Sequence, residues 1–123
     1  MINTFIFVFI TMKYIITESK LDNIIYQYIE DMFDDLHFTA AEDEEGYEMN
    51  SALQFYFGDY GDDESAFYWY DSDYFNNDCE KCPIVVFETD LLDKLNSLFS
   101  NKWEPIFKKW LWETFHMKVK TIE

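Results

Sequence analysis

The chain has 123 residues, 49% of them hydrophobic and 21% aromatic, with 25 acidic residues against nine lysines. That length suits one domain with its own core, and the aromatic content excludes a disordered chain. The net charge of -16 repels nucleic acid and anionic membrane surfaces, and attracts cations and basic protein surfaces.

The chain contains no arginine. It therefore lacks the forked guanidinium that grips phosphate at two points, which handicaps any phosphate-reading chemistry. Residues 1–11 form a hydrophobic N-terminal segment. Its run Phe5-Ile6-Phe7-Val8-Phe9-Ile10 favours a strand and would be prone to aggregate if exposed. It falls short of the about 20 residues that span a bilayer. It reads either as a fully buried strand or as sequence upstream of a second start at Met12-Lys13, and the later start is the reading adopted. The single α+β domain then occupies 12–123, with a short opening strand over 13–17.

Leu21, Ile24, Ile25, Tyr28, Ile29, Met32, Phe33 and Leu36 keep helical spacing, which predicts an amphipathic helix over 18–36. Residues 39–48 read as a solvated acidic loop. Two strands follow. The first, over 52–57, puts Leu53, Phe55 and Phe57 on one face. The second, over 66–70, sets Phe67 and Trp69 against Tyr68 and Tyr70. The turn chemistry of 58–63 joins them as an antiparallel hairpin. The apolar run 84–88, entered at Pro83, reads as a central strand. Thr89 is expected to cap a short helix with Leu91, Leu92, Leu95, Leu98 and Phe99. A second helix carries Trp103, Ile106, Phe107, Trp110, Leu111 and Phe115, and 117–122 closes as an edge strand. The fold class is α+β: an N-terminal amphipathic helix, a small antiparallel sheet of three to five strands, and two C-terminal helices covering one face.

Charge is distributed unevenly. Seventeen acidic residues lie between Glu30 and Glu80, while no lysine stands between Lys20 and Lys81. From Asn101 onward five lysines face three acids. Glu30 with Asp34, and Asp31 with Asp35, are like-charge pairs at i,i+4, at the negative end of the expected helix. Breaking a local rule without local gain points to function, against the plainer explanation of a solubilising face. The partner-binding candidates are Glu30, Asp31, Asp34, Asp35, Asp59, Asp62, Asp63, Glu64, Tyr68 and Tyr70. Tyrosines on an outward strand face give contact area at low entropic cost. A sharper form of the same idea is a DNA mimic, whose carboxylates imitate a phosphate row.

Cys79 and Cys82 have C-x-x-C spacing. Zinc would need two more ligands, and neither His37 nor His116 stands at ligand spacing. Two reduced cysteines ahead of a strand are expected, with zinc at Cys79 and Cys82 the lesser alternative. The acid runs at 59–64 and 71–78 do not follow the EF-hand register, since Asn76 stands where glycine is required. No phosphate loop, nucleophile elbow or H-E-x-x-H motif is present. No catalytic residue and no cofactor is assigned.

Two stretches carry a resemblance. Met12-Lys13-Tyr14-Ile15-Ile16-Thr17-Glu18-Ser19-Lys20-Leu21 resembles the start of small uncharacterised proteins of tailed phages, and residues 109–120 resemble their C-terminal ends. The resemblance implies a viral setting, in the host cytoplasm during infection or on the virion, and brings no site residues. The expected function is a non-enzymatic acidic interaction protein, such as a phage-encoded modulator of a basic host or viral partner, with no direct nucleic-acid contact and no membrane span. The alternative is a virion or assembly component whose N-terminal strand pairs with another chain. A small enzyme ranks last.

Overall fold

Hydrophobic spacing at Leu21, Ile25, Ile29 and Phe33 turns one stripe of the first helix inward, and all four residues are buried. The computed structural model describes residues 4–9, 12–42, 48–58, 65–75 and 77–123. In chain order the elements are β1 (Thr4–Phe9), β2 (Met12–Thr17), α1 (Glu18–Met32), β3 (Leu36–Glu42), β4 (Glu48–Phe57) and β5 (Ser65–Tyr70). A short 3-10 helix at Ser72–Phe75 follows. The chain continues with β6 (Ile84–Phe87), α2 (Thr89–Phe99), α3 (Trp103–Phe115) and β7 (Thr121–Ile122).

The fold is α+β, with a mixed sheet in the order β3-β4-β5-β6-β7. Four strands are antiparallel, but β7 runs parallel to β6, so the sheet is not wholly antiparallel. Nor is α1 the first element: β1 and β2 pair antiparallel in a separate two-stranded sheet ahead of it. The expected opening strand is β2, with β1 as its partner.

One row of aromatics crosses the sheet. Phe38, Phe55, Phe67 and Phe87 stand opposite one another on β3 to β6. Successive ring centroids lie 5.4, 4.5 and 5.2 Å apart. The next row runs Ala40, Leu53, Trp69, Val85 and Ile122. This face packs on Ile25, Ile29 and Phe33 of α1 and the turn after it, Leu95 of α2, and Trp103, Phe107, Trp110 and Leu111 of α3. All three helices, rather than the two C-terminal ones alone, therefore cover it.

Three expectations for local structure need correction. Helix α1 stops at Met32, and Leu36 opens β3 instead of closing the helix. Phe33 keeps its helical bond to Ile29, but Leu36 N–H turns back to Phe33 O at 3.2 Å. Residues 39–42 and Glu48 belong to strands β3 and β4, not to a loop; the rest of that expected loop, 43–47, lies outside the described residues. Glu88, not Thr89, occupies the N-cap of α2, and its side chain makes no capping bond.

Candidate functional site

The acids of α1 and the tyrosines of β5 do not form one surface. Alternation along β5 sends Phe67 and Trp69 to the helix-covered face, and Tyr68 and Tyr70 to the other. Glu30, Asp31 and Asp34 stand on the helix side. Asp59, Asp62, Asp63 and Glu64 lie outside the described residues.

On the helix side, α1 and α3 enclose a cleft of about 430 Å³. Gln27, Glu30, Asp31, Asp34 and Thr114 line it together with the aromatic rings of Phe33 and Trp110. Those rings lie 5.2 Å apart, and Trp110 is almost fully buried. Local sequence explains the arrangement. Helical spacing puts Gln27, Glu30 and Asp31 beside the buried stripe, and the turn after the helix adds Asp34, so carboxylates rim the buried Phe33 and Trp110. Gln27 Nε2 donates to Asp31 Oδ1 at 3.0 Å. Glu30 and Asp34 have no hydrogen-bond or ion-pair partner among the described residues. The helix ends before Asp34 and Asp35, so the expected i,i+4 repulsion inside a helix does not arise; the unfavourable dipole position of Glu30 and Asp31 does. A carboxylate rim suits a cationic side chain.

The fourth acid of the set, Asp35, faces elsewhere. Its Oδ1 lies 3.1 Å from His37 Nε2, and His37 stacks on Tyr56 at 5.8 Å. Beyond them the open sheet face carries Tyr68, Tyr70, Tyr74 and Phe75. Tyr70 stands 4.8 Å from Tyr74, and Tyr74 stands 4.7 Å from Phe75. Burial, then its neighbours Tyr74 and Tyr68, raise the Tyr70 phenol above its ordinary value, so it remains a neutral donor through the physiological range.

Cys79 and Cys82 are joined by a disulfide, in place of the expected reduced pair. The turn at Glu80-Lys81 brings their Cα atoms to 5.5 Å, within bridging range. The bond removes both thiolates as zinc ligands, and no group of three metal-ligating side chains forms among the described residues. His116 is occupied structurally: it caps α3 in a left-handed conformation and lies edge-on to Trp112. No described helix is long and apolar enough to cross a membrane.

Sequence reasoning singled out the acids of the cleft but not its floor. Phe33 and Trp110 read as core positions, and only the crossing of α1 with α3 shows that they also underlie a charged opening. Comparison with protein-family models, with curated proteins and with solved structures finds no match for this chain.

Proposed function

We propose that this chain is a non-enzymatic binding protein whose acidic surface takes a basic protein partner. The observation that carries this is the cleft between α1 and α3, where Glu30, Asp31 and Asp34 rim the rings of Phe33 and Trp110. Two of these carboxylates have no partner among the described residues, at the unfavourable end of a helix. A lysine or arginine from a partner would relieve that arrangement. The resemblance of the two ends to phage proteins supports a host or viral partner met in an infected cell, with the protein in the host cytoplasm or on the virion. A DNA mimic is the sharper form of the reading, with a nucleic-acid-binding protein as the basic partner. NMR titration of the labelled protein with a lysine-rich peptide tests the site. Shifts concentrated on Gln27–Asp34, Trp110 and Thr114 are expected, and shifts spread evenly over all acidic regions would refute it.

One observation favours assembly as a second reading. The β1–β2 hairpin forms a sheet of its own, and a lone two-stranded hairpin is marginal in water. Pairing with another chain would complete it. Self-association that survives high salt and responds to polar substitutions at Phe5, Phe7 and Phe9 supports this reading over the first.

A further inference from the structure

The two edges of the main sheet are built differently. At one edge β7 has only two residues, and Lys118 and Lys120 precede it closely; short length and lysines are the usual protection of an edge. At the other edge β3 runs seven residues, Leu36–Glu42, with neither lysine nor proline. Among the described residues it has a strand partner only on the β4 side.

Backbone hydrogen bonds at the strand ends fix which groups of β3 face outward. Gly58 N–H donates to Asp35 O at 3.3 Å, and Asp71 N–H donates to Ser51 O at 2.9 Å. In an antiparallel ladder bonded pairs alternate with unbonded ones. The first bond therefore makes His37–Tyr56 and Thr39–Gln54 the bonded pairs of β3 with β4. The second directs Leu53 and Phe55 toward β5, which agrees. Phe38 and Ala40 consequently point their N–H and C=O groups away from the sheet. Beside them the Phe38 ring is 51% exposed, although it touches Phe55 at 5.4 Å and Phe115 at 5.6 Å. Phe115 in turn lies 5.8 Å from Trp110, on the floor of the acidic cleft.

We infer that β3 is a strand-addition site for an extended, lysine- or arginine-bearing peptide segment of the partner. This rests on the acidic-surface reading and specifies how the partner binds. The segment pairs with the outward groups of Phe38 and Ala40. It covers the exposed Phe38 ring with one side of its pleat, and its basic side chains reach the carboxylates at the end of α1. Charge decides against a second copy as the occupant. Asp34 and Asp35 precede β3, Glu42 ends it, and Asp43, Glu44 and Glu45 follow in sequence. Antiparallel self-pairing would set these acids against one another in chains of net charge -16. The β7 edge, which carries the lysines, is too short to serve as the partner strand.

The test uses the full chain and two synthetic peptides of alternating lysine and valine, one of them N-methylated at alternate positions. N-methylation keeps the charge but removes the strand donors on one edge. The unmodified peptide is expected to bind, with strong slowing of Phe38 and Ala40 amide exchange. N-methylation on the pairing edge, or Ala40→Pro, should weaken binding roughly tenfold or more, since each removes backbone hydrogen bonds. Ala40 N–H is unused by β4, so the proline spares the ladder; circular dichroism checks the variant's fold, and the N-methylated peptide tests the wild-type chain independently. Equal binding of both peptides, with loss only when Glu30, Asp31 and Asp34 become amides, would overturn strand addition and leave the acidic-surface reading intact. No binding of either peptide, or a dimer that forms as salt rises, would overturn both.

Discussion

Tyr26 donates its hydroxyl to Glu113 Oε2 at 2.7 Å and so joins α1 to α3 beside the acidic cleft. That hydrogen bond, followed by burial and the charges of Glu113 and Glu30, raises the phenol from 10.0 to about 12. A folded-state value above the unfolded one stabilises the protein fully below pH 10. The contribution fades as pH climbs through about 12. Tyr26→Phe is expected to cost about 1 kcal/mol near neutral pH. It should also reduce the wild type's alkaline fall in stability, as read by urea unfolding across pH, leaving the part that belongs to Tyr70. An unchanged alkaline profile would show that the bond to Glu113 contributes nothing. Neither this tyrosine, which lies outside the apolar stripe read from spacing, nor its pairing with a residue 87 positions away was legible in the sequence.

At the scale of elements, α1 and β3 show where sequence pattern stops. The stripe that ends in Met32, Phe33 and Leu36 fits a helix throughout, yet the chain turns at Phe33 and begins a strand. Phe33 serves both states, because its ring packs on Phe57, Phe67 and Phe107 after the helix has closed. β3 itself was hidden for a physical reason. An edge strand with one open side needs no continuous apolar alternation, and Thr39-Ala40-Ala41 shows none. The strands with strong alternation, β4 and β5, were legible, and so were β6 and the two later helices. The left-handed cap of α3 is a further element-level feature. His116 adopts φ 57, where a side chain is a burden, and its N–H closes the helix onto Trp112 O at 2.9 Å. His116→Gly should raise stability by roughly 0.5–1 kcal/mol, measured by thermal unfolding. A destabilised variant would mean that the His116–Trp112 contact outweighs the cap.

Across the whole molecule, charge and sheet geometry run together. Lysines cluster at the β7 edge, where Lys108 Nζ donates to Lys120 O at 2.8 Å and Lys81 pairs with Glu123 at 3.1 Å. Asp34 and Asp35 directly precede β3, so these acids and the lysine cluster lie at opposite edges of the sheet. The imbalance was legible in the sequence; its alignment with the two edges was not, because order within a sheet depends on pairing between distant segments. The core is carried by three helices and the five-stranded sheet, while among the described residues β1 pairs only with β2. Deleting residues 1–11 should therefore leave cooperative unfolding intact, and loss of the transition in calorimetry would make the hairpin structural. The central claim is that the acidic cleft recognises a basic partner through charge. It is tested most directly by titrating a lysine-rich peptide into the wild type and into the Glu30→Gln, Asp31→Asn, Asp34→Asn variant over a series of salt concentrations. Wild-type affinity should fall steeply as salt rises, and the variant should bind more weakly with a flatter dependence. Equal affinity and equal salt dependence in the two proteins would contradict the claim and leave these carboxylates a role in solubility alone.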